Sequence, residues 1–125
     1  MIYLDTHVLI YLYQGDLSLL SKKAIETIET HPIVVSGFTV LELSYLFEIG
    51  RISTPAKIIM DELLGHLRLK MCKLSATDIA VKAIEFSWTR DPFDRLIVAN
   101  AAYANSPLMT KDRLIRANYP QSIWD

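Results

Sequence analysis

Cysteine is nearly absent from this 125-residue chain: Cys72 stands alone. No intrachain disulfide and no cysteine-built zinc site can therefore exist. Histidine is scarce too, with only His7, His31 and His66. His7, two positions past Asp5, is read as a packing or hydrogen-bonding residue that borders a site at most. His31 before Pro32 is read as a helix-end residue, and His66 as a late helical one. No apolar run is long enough to span a bilayer, and "HVLIYLY" has Asp5 just before it. The N-terminus lacks a basic region followed by a small-residue cleavage site, so the expectation is a cytoplasmic protein with no membrane partner. Gly- or Pro-rich linkers, repeats and low-complexity segments are missing as well, which predicts one domain over 1–125. Net charge is −1, so the chain has no global basic signature for coating a duplex. A nuclease stays open, because bound cations and a local Arg/Lys rim can supply positive charge.

What is present is an alternation of short apolar strands with helices. Strands are expected at 2–4, at "IVVS" (33–36), at "LKMCKL" (69–74), at "PLMT" (107–110) and at "SIW" (122–124). Helices are expected after Asp5, from Ser18 to the "HP" at 31–32, over 40–49 with Gly50 as terminator, and from "STP" (53–55) to about Leu67. Further helices are expected from Ala76 to about Ser87, from Asp91 as N-cap with Pro92 at the first position, and over 111–118. The pattern predicts an α/β domain with a central, mostly parallel sheet. In such sheets ligands bind beyond the carboxyl ends of the strands.

Four acids fall at that edge although they are scattered in sequence. Asp5 ends the first strand, and Glu42 is expected in the first turn of the helix after the second. Asp94 opens the helix leading into the fourth strand, and Asp112 follows that strand. Each has a structural explanation. "FTVLEL" (38–43) is a capping pattern, with Thr39 as N-cap, Glu42 three residues on, and Phe38 against Leu43 as a staple. "LSATDI" (74–79) has the same form, and there Asp78 is assigned to capping. Asp91, Asp94 and Asp112 all suit helix N-termini. Jointly these explanations fare worse, because four acids on one edge repel one another and a helix dipole contributes only about 0.3–1 kcal/mol. A hard cation such as Mg²⁺ or Mn²⁺ resolves the repulsion, and an open carboxylate–metal cluster suits phosphoryl chemistry.

With these residues placed, the chain resembles a PIN-domain ribonuclease of the VapC toxin type. The resemblance rests on "YLDTHVLI" (3–10), "SGFTVLEL" (36–43), "RDPFDRLIVANA" (90–101) and "LMTKD" (108–112), and it covers essentially the whole length. It implies a three-layer α/β/α sandwich, Mg²⁺ or Mn²⁺, and endonucleolytic hydrolysis of RNA. Carried over by motif, the catalytic and metal-holding acids are Asp5, Glu42, Asp94 and Asp112. Asp91 is ambiguous and is assigned as a cap or supporting neighbour, because Asp94 stands directly before "RLIVANA". Thr6 and Thr110 are expected to hydrogen-bond neighbouring carboxylates or water.

Arg51, Arg90, Arg95, Lys111, Arg113 and Arg116 are the candidates for RNA phosphates, contacts that bind without selecting sequence. A toxin implies a cognate antitoxin protein, and "VLIYLY" with Tyr45, Leu46 and Phe47 offers surface for a partner helix or a homodimer. Two alternatives belong to other classes. A haloacid-dehalogenase-like phosphatase also ends its first strand in Asp but wants a second Asp at the position of His7. An inactive PIN-like binding module is the other.

Overall fold

The residues of β1 (Ile2–Leu4) alternate between two cores. Ile2 and Leu4 pack with Ile33, Val35, Leu69 and Met109, whereas Tyr3 packs with Val34 and Leu108. Such alternation in buried strands means that both faces of the sheet are covered. The computed structural model describes residues 1–66 and 68–125. Among them β1, β2 (Ile33–Val35), β3 (Leu69–Met71), β4 (Leu108–Met109) and β5 (Ser122–Ile123) form one all-parallel sheet. Their order is β3-β2-β1-β4-β5, so the direction of winding reverses between β1 and β4. That reversal opens a crevice at the carboxyl ends of these two strands.

Helices cover both faces. α1 (Thr6–Gln14), α2 (Lys22–Thr30), α3 (Gly37–Glu48) and α4 (Ala56–His66) join the first core through Val8, Leu9, Ala24, Leu43 and Ile59. α6 (Pro92–Tyr103) and α7 (Arg113–Asn118) fill the second through Ile97, Val98, Ala101 and Ile115. α5 (Ala76–Ala83) sets Ile79 and Ala83 against Ala99 of α6. The result is the three-layer α/β/α arrangement. Among the described residues no helix is long and apolar enough to cross a membrane.

Several boundaries differ from expectation for local reasons. Residues 17–19 form a single 3-10 turn, and α2 starts later, where the Ser21 hydroxyl accepts the Ala24 N–H at 3.0 Å. α3 starts at Gly37, because Ser36, expected to end β2, is its N-cap. Thr39 is therefore no cap, and its buried hydroxyl has no partner among the described residues. Phe38 packs against the α5/α6 cluster rather than stapling Leu43. α5 stops at Ala83 instead of near Ser87, where the Arg95 guanidinium donates to the carbonyls of Ala83 and Ile84 at 3.1 and 3.4 Å. The expected end of α4 near Leu67 lies outside the described residues. α3 does stop as expected, with Gly50 at φ 78° just past its C-cap.

Candidate active site

Three helices begin at the crevice, and an aspartate caps each of them. Asp5 caps α1, Asp91 caps α6 and Asp112 caps α7. Each has an extended backbone, and a carboxylate oxygen accepts an N–H of the first turn, the geometry expected of an N-cap. Asp5 Oδ1 takes the Thr6 amide at 2.7 Å, Asp91 Oδ1 those of Phe93 and Asp94 at 2.9 and 3.1 Å, and Asp112 Oδ1 that of Ile115 at 2.9 Å. Capping by one oxygen leaves the second free in principle to face the crevice. Among the described residues only Asp5 has that second oxygen engaged by the protein, by the Thr110 hydroxyl at 2.7 Å.

Glu42 arrives differently. It lies in the second turn of α3, not the first, and caps nothing there. Its carboxylate accepts the Thr6 hydroxyl across the α1–α3 junction, and it is 7 % exposed. The structural explanation available for Glu42 in the sequence is thereby removed.

The electrostatics bind the acids into one group. Burial pushes the Asp5 carboxyl above its ordinary range, and Asp112 adds to the rise, while hydrogen bonds from Thr110 and Thr6 and the charge of His7 oppose it. Glu42 is raised by burial first, then by the charges of Asp5 and Asp91, against the opposing Thr6 bond. Asp94 is pushed up to about 8 by burial and by Asp5, Asp91, Asp112 and Glu42, and among the described residues no hydrogen bond offsets any of this. Asp94 is thus the acid with the least support from the protein. Asp91, left ambiguous by the sequence, stands close enough to raise both Glu42 and Asp94.

This donor set fits a hard divalent cation, which prefers carboxylate and water oxygens and would relieve the mutual repulsion. Among the described residues no three His, Cys, Asp or Glu side chains close to the separation that would hold an ion by themselves. Water would therefore supply part of the shell of an ion there, as small hard cations prefer.

The basic candidates divide. Lys111 lines a 190 Å³ cleft together with Asp5, His7, Tyr11 and Asp112. Arg90 and Arg113 are exposed beside Asp91 and Asp112. Arg95 is engaged in capping α5, and Arg116 pairs with Asp125 at 2.5 Å. Arg51 lies with Tyr13 and Gln14 by the C-terminal ends of α1 and α3, a helix length from Asp5. Thr6 and Thr110 each bond a site carboxylate. Tyr11 was not anticipated, although its place four residues after His7 on α1 puts both on one side of that helix.

Comparison with known proteins agrees with this architecture. The family model for the PIN domain matches residues 2–119. The chain is 32 % identical over 127 aligned positions to Ribonuclease VapC22 of Mycobacterium tuberculosis, covering 97 % of this chain and 96 % of that protein. Similar solved structures include a toxin-antitoxin complex from Klebsiella pneumoniae (TM-score 0.69, 19 % identity, 98 % and 96 % of the two chains). VapBC-1 from nontypeable Haemophilus influenzae gives TM-score 0.67 at 19 % identity, over 100 % and 97 %. VapBC2 from Rickettsia felis, bound to a promoter DNA fragment, gives 0.63 at 22 % over the whole of both chains.

Proposed function

The chain belongs to the PIN-domain family, and we propose that it is a metal-dependent endoribonuclease, the toxin of a toxin–antitoxin pair. One observation carries the reading: Asp5, Asp91 and Asp112 each cap a helix that begins at the crevice, and Glu42, no cap itself, is held beside Asp5 by the Thr6 hydroxyl. The ribonuclease relative, similar along nearly the full length of both chains, supports RNA as the substrate.

Asp5, Glu42, Asp94 and Asp112 would hold Mg²⁺ or Mn²⁺, directly or through water. When bound, the ion supplies a water of lowered pKa and neutralises charge growing on the phosphate oxygens. The protein's own contribution is positioning. Thr110 holds Asp5, Thr6 holds Glu42, and Asp91 fixes the start of α6 and with it Asp94. Lys111 lies beside Asp5 and Asp112 in the cleft and meets the phosphate backbone. No side chain need act as nucleophile. The phosphatase alternative requires an acid where His7 stands, and a binding module would not need all of these acids.

A toxin needs restraint, so a cognate antitoxin binds across the acidic edge. A homodimer and a cytoplasmic location belong to the same reading. The test is incubation of the wild type and Asp94→Asn with a pool of single-stranded RNAs under EDTA, Mg²⁺ and Mn²⁺. Cleavage by the wild type with metal alone, and none by the variant, is the expected result. Equal cleavage by both would refute the reading.

A further inference from the structure

Tyr45 stands on α3 three positions after Glu42, and Phe93 stands on α6 directly before Asp94. Their ring centroids are 5.8 Å apart with the planes tilted by 35°. Residues three apart on a helix are surface neighbours, so Tyr45 adjoins Glu42 on α3, and Phe93 meets Tyr45 from the first turn of α6, between Asp91 and Asp94. The aromatic pair therefore spans the α3–α6 junction beside Glu42. Neither ring belongs to any of the hydrophobic cores. Tyr45 is 47 % exposed, while Phe93 is partly buried behind it. Phe93 is also held firmly, since it follows Pro92 and its N–H donates to Asp91 at 2.9 Å.

We propose that Tyr45, backed by Phe93, is a stacking platform for an unpaired nucleobase flanking the phosphate to be cleaved. The proposal rests on the nuclease reading and adds to it a residue that positions the strand. Carboxylates repel a bare phosphate backbone, whereas a neutral base presents a flat face that an aromatic ring covers whatever its sequence. Bases inside a duplex offer no such face, so the platform selects single strands, loops and bulges. Tyr45 acts here as a positioning residue that sets the register of the strand over the acids.

The test compares two labelled strands of equal length, a mixed-sequence single-stranded RNA and a wholly abasic ribose-phosphate strand. Binding of the full chain is measured in EDTA, so that neither strand is cut, at several salt concentrations. Wild type should prefer the base-bearing strand. Tyr45→Leu should lose affinity for it about 5- to 140-fold, the range that one stacked base contributes. It should bind the abasic strand as wild type does, with an unchanged salt slope, and Tyr45→Phe should restore the preference. An undiminished preference in Tyr45→Leu overturns the platform. So does an equal loss on both strands, or an altered oligomeric state with the preference intact, which would assign Tyr45 to a contact with a second copy. A wild type that binds neither strand and cuts no RNA with metal would instead refute the nuclease reading itself.

Discussion

The Thr110 hydroxyl donates to Oδ2 of Asp5 at 2.7 Å, and its oxygen accepts the backbone N–H of Asp112 at 3.1 Å. One side chain just past β4 thus holds the acid that ends β1 and sets where α7 begins. Thr110→Val keeps the shape and removes both bonds. It should destabilise the fold by about 1–3 kcal/mol, the cost of leaving buried polar groups unmet. Because the Thr110 bond lowers the Asp5 pKa, that pKa should rise further in the variant. Urea denaturation and a pH profile of RNA cleavage measure the two effects, and a wild-type profile would show that Thr110 does not hold Asp5.

Metal-free stability should fall as pH rises. Asp5, Glu42 and Asp94 all have folded-state pKa values above their unfolded ones, so the unfolded chain releases these protons first. Stability is then highest below the ordinary carboxylate range near about 4, and it declines until Asp94 has ionised at about 8. Asp94→Asn should flatten the upper part of that decline. Melting temperature in EDTA across this range decides it, and a rise in stability with pH would contradict the shared cluster.

Metal should reverse the effect at neutral pH. A cation at a hundredfold excess over its Kd stabilises by about 2.7 kcal/mol when it binds only the folded state. Asp94→Asn should remove most of this response. Asp78→Asn should keep it, since Asp78 belongs to the start of α5 and bonds Tyr103. Thermal melts with and without Mn²⁺ compare the two variants, and an equal response would place Asp94 outside the site.

Lys111 and Arg95 should separate cleanly. Lys111 lines the cleft beside Asp5, whereas the Arg95 guanidinium is bound to the end of α5. Lys111→Ala should weaken RNA binding and lower the salt slope by about 0.7, the loss of one contact to a single strand. Arg95→Met should cost stability and leave the slope unchanged. Fluorescence anisotropy over a salt series tests both, and a slope lowered only in Arg95→Met would reverse the assignment.

The start of α3 offers a test of its own. Ser36→Ala should cost about 1 kcal/mol, as loss of an N-cap does. Thr39→Val should be neutral or stabilising, because it deletes a buried hydroxyl that has no partner. Chemical denaturation that ranked the two the other way would restore Thr39 as the cap.

Most of the architecture was legible in the chain because it depends on short-range rules. Short apolar, β-branched runs such as those of β1 and β2 read as strands buried on both sides, and Asp91 before Pro92 marks a helix start wherever it lands. The α/β alternation then places Asp5, Asp94 and Asp112 at the edge where strands end and helices begin. Boundaries were less legible where a distant group intervened. No local signal shows that Arg95 will close α5, or that Ser36 rather than Thr39 will cap α3.

Sequence by itself therefore determined the α/β alternation and the edge at which Asp5, Asp94 and Asp112 fall, because periodicity and capping are properties of neighbours in the chain. Tertiary structure decided that Thr6 meets Glu42, that Thr110 meets Asp5, and that Asp94 is left unsupported among four charges. It also brought Tyr45 and Phe93 together from different helices. Those relationships depend on how elements pack across the β1/β4 crevice, and desolvation and charge repulsion exist only once that packing has excluded the water.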